Sequence, residues 1–385
     1  MRKLSVMDLD LGDELVLMRV DYNVPLTAGV VLDDNRISTT LPTLRYLQSR
    51  KARVVLCSHL GRPKGKPEEC YSLRPVAERL QRLLGGNVGF CPVTVGPEAQ
   101  EMASRLEPGS VMLLENLRFQ PGEEANDPGF SRQLAELGEV YVNDAFGVAH
   151  RAHASTVGAA RLFPQAAAGL LLLGELDYLQ RVLDAREHPF LVLLGGAKAG
   201  DKLPFLSHLA RKADRLLIGG GMAYTFLKAQ GQEVGASLLQ PEFIEPIRAL
   251  LHSAAAGQFV LPVDHVLENG EVVTAIPPGG KAMDIGPKTR DVFAQQIAAA
   301  RMLFWNGPMG VFEKPPLDAG TLAVARAVAA CPGTTVAGGG DSIAALRAAG
   351  VEGQLSHVST GGGAALEFLA GDPLPGVEVL TEVTA

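Results

Sequence analysis

The chain is poor in cysteine, in aromatic residues and in long apolar runs, and each shortage excludes a class of protein. Its 385 residues include four cysteines, Cys57, Cys70, Cys91 and Cys331. They have neither CxxC spacing nor histidines at zinc-ligand distances, so they read as reduced thiols, with Cys57 and Cys91 buried beside apolar stretches. No segment approaches the roughly 20 apolar residues that span a bilayer; AAAGLLLLG (166–174) stops at Glu175. The opening MRKLSVMDLDLGDE turns acidic where a signal peptide would be apolar, so a cytoplasmic location is expected. An excess of positive charge is missing too. With 42 acidic against 35 basic residues and a net charge of −7, general affinity for nucleic acid or anionic membrane is not expected.

Glycine, by contrast, is abundant and placed in a pattern. Five apolar runs end abruptly in it: FLVLLGGAK (190–198), RLLIGGG (215–221), MLFWNGPMG (302–310), TTVAGGGDS (334–342) and HVSTGGGA (357–364). Short apolar runs closed by glycine read as buried strands of a parallel sheet. Glycine lets the chain turn sharply into the next helix and lets a ligand reach main-chain N–H groups. Ligands of open α/β sheets bind at the carboxyl ends of the strands. These ends carry Lys198, Lys202, Asn306, Glu313, Asp341 and Thr360, a set suited to nucleotide phosphates.

The first half alternates strand-like and helix-like segments. ELVLMRVD (14–21), RVVLCSH (53–59), VMLLEN (111–116) and VYVNDAFG (140–147) are strands, with helices over 39–50, 75–84 and 130–137 between them. A βαβ series of this kind predicts a doubly wound parallel sheet. The length predicts two domains, hence an α/β protein of two Rossmann-like lobes. The expected division is a first lobe over 1–169, a connecting helix over 170–187, a second lobe over 188–370 and a tail over 371–385. The connecting helix reads either as a hinge or as an ordinary packing helix of the second lobe.

Familiar phosphate motifs do not fit. Gly61 to Lys66 has one residue too few for a Walker A loop and Pro67 where Ser or Thr is required. No strand is followed by G-x-G-x-x-G, and the paired kinase signatures are absent. What remains is GGAKAGDKL (195–203), whose Lys198 and Lys202 fall four apart where a helix is expected to begin. GGGDS (338–342) offers Asp341 as a magnesium carboxylate or as a helix cap, and STGGGA (359–364) offers free N–H groups. Glu313 suits ribose hydroxyls, and Trp305 reads as core. In the first half, 15 of the 19 basic residues up to position 170 are arginine, the side chain suited to bidentate grip on phosphate and carboxylate. Arg19, His59, Arg62, Arg118, His150, Arg151 and His153 gather at strand ends and loops, with Asp21 and Asn23 beside them.

Taken in order, RVDYNVP, SHLGRPKG, LLENLRF, DAFGVAHRAHAS, GGAKAGDK, IGGGMAYTFLKA, DIGPKT, WNGPMGVFE, GGGDS and STGGGA resemble the phosphoglycerate kinase family over essentially the whole chain. The resemblance implies a monomeric, two-lobed, hinge-bending glycolytic enzyme whose C-terminal tail returns to the first lobe. It implies that 3-phosphoglycerate or 1,3-bisphosphoglycerate binds through Asp21, Asn23, Arg36, His59, Arg62, Arg118 and Arg151. It implies ADP or ATP, with Mg²⁺ on Asp341, bound through Gly195, Lys198, Lys202, Gly219, Asn306, Glu313, Gly340, Asp341 and Ser342. Arg36, Lys198 and the amides of Gly361, Gly362 and Gly363 would then surround the phosphoryl group in transfer. A two-lobed binding protein and an acyl-phosphate-forming ligase share the architecture or the phosphate cradle, but not the arginine set together with the ordered motifs. Four positions depart from the family: Tyr22 for a usual Phe, Val148 for a small or hydroxylic residue, Ala199-Gly200 for Val-Ser, and Ala236 for a frequent Lys. Gly200 predicts a looser turn before Lys202.

Overall fold

Apolar runs of four to six residues become largely buried parallel strands in both halves of the computed structural model, which describes residues 2–255 and 257–383. The chain divides into two compact units. One holds the residues up to Leu176 together with those from Pro373 on; the other holds Asp177–Asp372.

The first unit is built on six parallel strands: β1 (Leu15–Val20), β2 (Arg53–Cys57), β3 (Val88–Cys91), β4 (Val111–Leu114), β5 (Val140–Asp144) and β6 (Ala166–Ala168). Their order across the sheet is 3-4-2-1-5-6, so the strand order reverses between β1 and β5, which pair in parallel. Helices Leu41–Ser49 and Arg74–Leu84 bury Leu44, Leu47, Val76 and Leu80 against one continuous core with Val16, Met18, Val54 and Leu56. β3 and β6 were not foreseen: four and three residues carry too little pattern to separate strand from loop. The C-terminal segment packs on this same unit. Arg2–Lys3 pairs antiparallel with Glu382–Val383, and Asn143 Nδ2 donates to the Gly376 carbonyl at 3.0 Å.

The second unit repeats the plan with β7 (Phe190–Leu194), β8 (Arg215–Ile218), β9 (Phe259–Val260), β10 (Met302–Asn306), β11 (Thr334–Gly338) and β12 (His357–Ser359). The order is 9-8-7-10-11-12, with the reversal between β7 and β10. All five glycine-closed runs are strands of this sheet, as the sequence predicts. Trp305 is wholly buried in its core, its indole N–H donating to the Gly307 carbonyl at 2.8 Å. A small antiparallel sheet of His265–Leu267, Val272–Val273 and Ala282–Ile285 adds a feature that strands of two to four residues did not reveal in the sequence.

The helix Leu170–Asp184 begins in the first unit and ends in the second. Its start is tied to the first unit: the Leu172 N–H donates to Asp144 Oδ1 at 3.1 Å and the Leu170 N–H to Thr43 Oγ1 at 3.0 Å.

Candidate active site

Each unit carries a polar site at the carboxyl ends of its strands, beside the point where the strand order reverses, as open α/β sheets favour. In the first unit the site is built around Asp21, directly after β1. Its carboxylate ion-pairs with Arg36 through Oδ2, and Oδ1 lies 3.7 Å from His59 Nδ1. Asn23, exposed two residues on, accepts the Gly61 N–H at 2.9 Å, and the Gly61 carbonyl accepts from Arg118 Nη1 at 2.8 Å. Arg118 is buried, and its Nε meets Glu124 at 3.0 Å. Arg151 lies in the segment after β5, with Nε 3.1 Å from His150 Nε2. Arg62 is exposed on the loop after β2.

The imidazoles of His59 and His153 are held toward the neutral form. Burial pushes His59 well below the usual imidazole range, and Arg19, Arg118, Arg151 and Arg36 push the same way. Arg19 Nη2 donates to His59 Nδ1 at 3.3 Å, which assigns the ring proton to Nε2. Burial followed by Arg118, Arg19, Arg151 and His150 lowers His153 to about 4. Neutral imidazoles among arginines can hydrogen-bond a ligand without adding to the positive charge that already draws anions.

Three buried residues, Glu123, Ser155 and Arg19, stand behind this surface. Glu123, with no exposure, accepts the Ser155 hydroxyl at 2.6 Å and the Ser155 N–H at 3.0 Å. Arg19 Nε donates to the same Ser155 oxygen at 2.8 Å. Burial raises the Glu123 pKa, while Arg19 and the Ser155 hydrogen bonds oppose the shift. The sequence had flagged Arg19 as one arginine among many, and nothing local marks Glu123 or Ser155, because their partners lie 32 positions apart.

In the second unit, two adjoining cavities of about 420 and 370 Å³ share Gly196, Ala197, Pro308 and Asp341 as walls. Lys198, Lys202, Asn306, Gly340, Ser342, Gly362 and Gly363 line the larger one. Tyr224, Leu238, Met283, Val311 and Glu313 line the smaller, which is more apolar. Here the local geometry differs from expectation. Lys198 precedes any helix, a 3₁₀ turn spans Gly200–Lys202, and the α-helix begins only at Leu203, so the two lysines converge on the cavity without sharing a helical face. Lys202 Nζ donates to the carbonyls of Gly195 at 2.5 Å and Asn306 at 3.1 Å, bridging the ends of β7 and β10.

Gly195 and Gly219 lie behind the cavity, because a Cβ at either position would run into Pro308 or Met309. The Gly195 N–H donates to the Asn306 carbonyl at 3.0 Å. Asn306 Nδ2 donates to the Gly338 carbonyl at 2.8 Å, and the buried Ser342 hydroxyl accepts the Gly307 N–H at 2.7 Å. The Gly361 N–H is taken by Ser359 Oγ at 3.1 Å; Gly362, at φ +51°, and Gly363 are the members of that trio on the cavity wall. Ser342 thus shapes the loop, while Lys198, Asp341 and Glu313 present charged groups to the space.

The departures from the family pattern also have local partners. The Tyr22 hydroxyl pairs with Thr40 Oγ1 at 2.8 Å in the core, and Val148 is buried. A Cβ at Gly200 would meet the Phe243 ring. Ala236 is exposed, and its N–H donates to the Gly280 carbonyl at 2.8 Å.

The phosphoglycerate kinase family model matches residues 6–372. A phosphoglycerate kinase of Acidobacterium capsulatum is 52% identical over 403 aligned residues, covering 99% of this chain and 100% of that protein. That of Moorella thermoacetica is 52% identical over 393, again covering 99% and 100%. Among solved structures, phosphoglycerate kinase from Coxiella burnetii superposes with a TM-score of 0.89 at 38% identity, covering 98% of each chain. The enzyme from Pyrococcus horikoshii gives 0.86 at 33% identity with the same coverage. With the two parallel sheets, the arginine-rich site and the glycine-lined cavity in place, these matches show that the chain belongs to the phosphoglycerate kinase family.

Proposed function

We propose that the chain catalyses reversible phosphoryl transfer from 1,3-bisphosphoglycerate to ADP, giving 3-phosphoglycerate and ATP. The observation that carries this reading is the pairing of chemistries: an arginine and neutral-histidine cluster on one sheet, and a glycine-walled cavity with two lysines on the other. The first suits a small multiply charged acid. The second suits a di- or triphosphate, with the adjoining apolar space for base and ribose.

On this reading Asp21, Asn23, Arg36, His59, Arg62, Arg118 and Arg151 bind the phosphoglycerate. Asp21 acts chiefly by holding Arg36. Lys198 and the N–H groups near Gly362 and Gly363 meet the nucleotide phosphates, Asn306 and Gly340 shape their cradle, and Glu313 meets the ribose. Gly195, Gly219, Ser342 and Lys202 keep the strand ends and loops in register beneath it.

Among the described residues no group of three or more His, Cys, Asp or Glu side chains stands together as a metal site. The donor set therefore fits an ion carried in by the nucleotide, with phosphate oxygens, water and the single carboxylate of Asp341 around it. Magnesium, when bound, neutralises charge on the phosphate oxygens.

Both nucleophiles, a carboxylate and a diphosphate oxygen, are ionised near neutral pH, so no general base is required. The depressed pKa values of His59 and His153 accord with this. Catalysis then rests on alignment and on positive groups around the transferring oxygens, with Arg36 and Lys198 foremost. The two sites belong to different units, so transfer needs them brought face to face with water excluded. Both sites come from one chain, and we assign the enzyme as a monomer; its four free cysteines accord with a reducing cytoplasm.

The test is ATP-dependent phosphorylation of 3-phosphoglycerate by the purified protein, followed as NADH oxidation by a coupled dehydrogenase. Magnesium-dependent turnover is expected. ATP binding without turnover would overturn the assigned acceptor.

A further inference from the structure

Behind the smaller cavity of the second unit lies a carboxyl group that takes no part in the mechanism above. Asp284 sits on the strand Ala282–Ile285 with no exposure to solvent. Its Oδ2 accepts the Gly320 N–H at 2.7 Å, near the start of the helix Ala319–Ala329, and its Oδ1 accepts the Ile285 N–H at 2.9 Å. Arg290 Nη2 stands 3.6 Å from Oδ2. Two glycines from other parts of the chain press on the same carboxyl: a Cβ at Gly310 or at Gly320 would run into it. Asp284 is thus clasped at both ends of the segment between β10 and that helix.

This segment is the cavity's far wall. Gly310, Val311 and Glu313 line the space, as does Met283, the chain neighbour of Asp284. Two further bonds run in parallel with the clasp. The Val311 N–H donates to the Met283 carbonyl at 3.0 Å, and the Met309 N–H donates to Thr321 Oγ1 at 3.0 Å. Burial pushes the Asp284 pKa up to about 7, against the Gly320 and Ile285 N–H groups and Arg290, while Asp318 adds to the rise. A carboxyl kept under such conditions next to a ligand cavity marks a place where geometry matters.

We propose that Asp284 is a positioning residue for the nucleotide: by holding Gly320 and seating Gly310, it fixes the loop that presents Val311 and Glu313 to the base and ribose. The proposal rests on the reading of this cavity as the nucleotide site. Asp284 touches no ligand itself. Its effect reaches the nucleotide through the loop and leaves the phosphoglycerate site untouched.

Asp284→Asn keeps the shape but replaces one accepting oxygen with a donor that faces an N–H group. Losing one such buried acceptor is expected to raise the KM for ATP by about tenfold, with kcat and the KM for 3-phosphoglycerate changed by less than about twofold. Gly320→Ala, which displaces the same carboxyl from the helix side, should shift the ATP KM in the same direction. A merely structural role would lower the melting temperature of both variants and leave the ATP KM where it was, which would overturn the proposal.

The unmodified protein supplies an arm that does not depend on variant folding. Amide hydrogen exchange at Val311 and Gly320 should slow on adding ADP and stay unchanged on adding 3-phosphoglycerate; no slowing with ADP bound would also overturn it. Protein that binds ADP but fails to phosphorylate 3-phosphoglycerate would sink the functional reading alone, and the exchange measurement would still decide this one.

Discussion

Asp21 ion-pairs with Arg36 from the end of β1 to a residue 15 positions along the chain. The same carboxylate faces His59, so one acidic residue organises a cationic surface that would otherwise repel itself. The pairing separates two substitutions. Arg36→Ala removes a charge from the transferring group and should lower kcat by about 10²- to 10³-fold, the scale of a single oxyanion contact. Asp21→Asn leaves the guanidinium in place but unheld, so a smaller loss is expected, with a higher KM for 3-phosphoglycerate. Steady-state kinetics in both substrates would decide, and near-normal turnover in Arg36→Ala would rule out its catalytic role.

The two lysines of the second unit should also separate. Lys198 is exposed on the cavity wall, whereas Lys202 is bonded to the carbonyls of Gly195 and Asn306. Lys198→Ala should therefore act mainly on kcat. Lys202→Ala frees the ends of β7 and β10 and should act on the melting temperature and the ATP KM together. If instead Lys202→Ala kept its stability and lost only kcat, Lys202 would be the phosphoryl contact.

These contrasts show what the sequence made legible. The glycine-closed strands could be read because a parallel strand buried on both faces is apolar along its whole length and must turn at once into a helix. The site residues directly after those strands came with them, since their place follows from the topology. The Glu123–Ser155–Arg19 bonds and the Asp284 clasp could not be read. They join residues brought together only by tertiary packing, and a carboxylate with no apolar periodicity around it looks like any solvated acid. The small antiparallel sheet escaped for a different reason: strands of two to four residues give no measurable alternation.

Asp144 yields a prediction about pH. It is wholly buried at the end of β5 and accepts the Leu172 N–H at the start of the helix Leu170–Asp184. Burial raises its pKa to about 7, against hydrogen bonds from Thr43, Leu172 and Leu171. In the unfolded chain the group ionises near the ordinary aspartate value of about 3.9. Between these values the folded protein holds a proton that the unfolded chain has released, so this group's contribution to stability falls as pH rises toward 7 and levels off above it. The melting temperature of the unmodified protein relative to Asp144→Asn should therefore decline from pH 5 to 7 and then stay level. Contributions from His153 are common to both proteins and cancel. A difference independent of pH would show that Asp144 is ionised throughout.

Gly200 gives the last prediction, and the structure changes what its presence means. A glycine where the family usually has serine suggests a loosened turn before Lys202. Yet Phe243 fills the space where a side chain would stand, and Gln240 Oε1 accepts the Ala199 N–H at 2.5 Å. The turn is thus braced from outside by the Gln240 amide and by an aromatic ring into which a serine side chain would run. Gly200→Ser alone should destabilise the protein by about 1–3 kcal/mol, the scale of overpacking a filled site, and raise the ATP KM through Lys202. Gly200→Ser with Phe243→Leu should recover most of both losses, because the shorter side chain vacates the collision. Thermal unfolding and ATP kinetics on the two variants test this together. A single variant as stable and as active as the parent would mean that Phe243 swings aside at no cost, and that the brace is not what holds Lys202 in place.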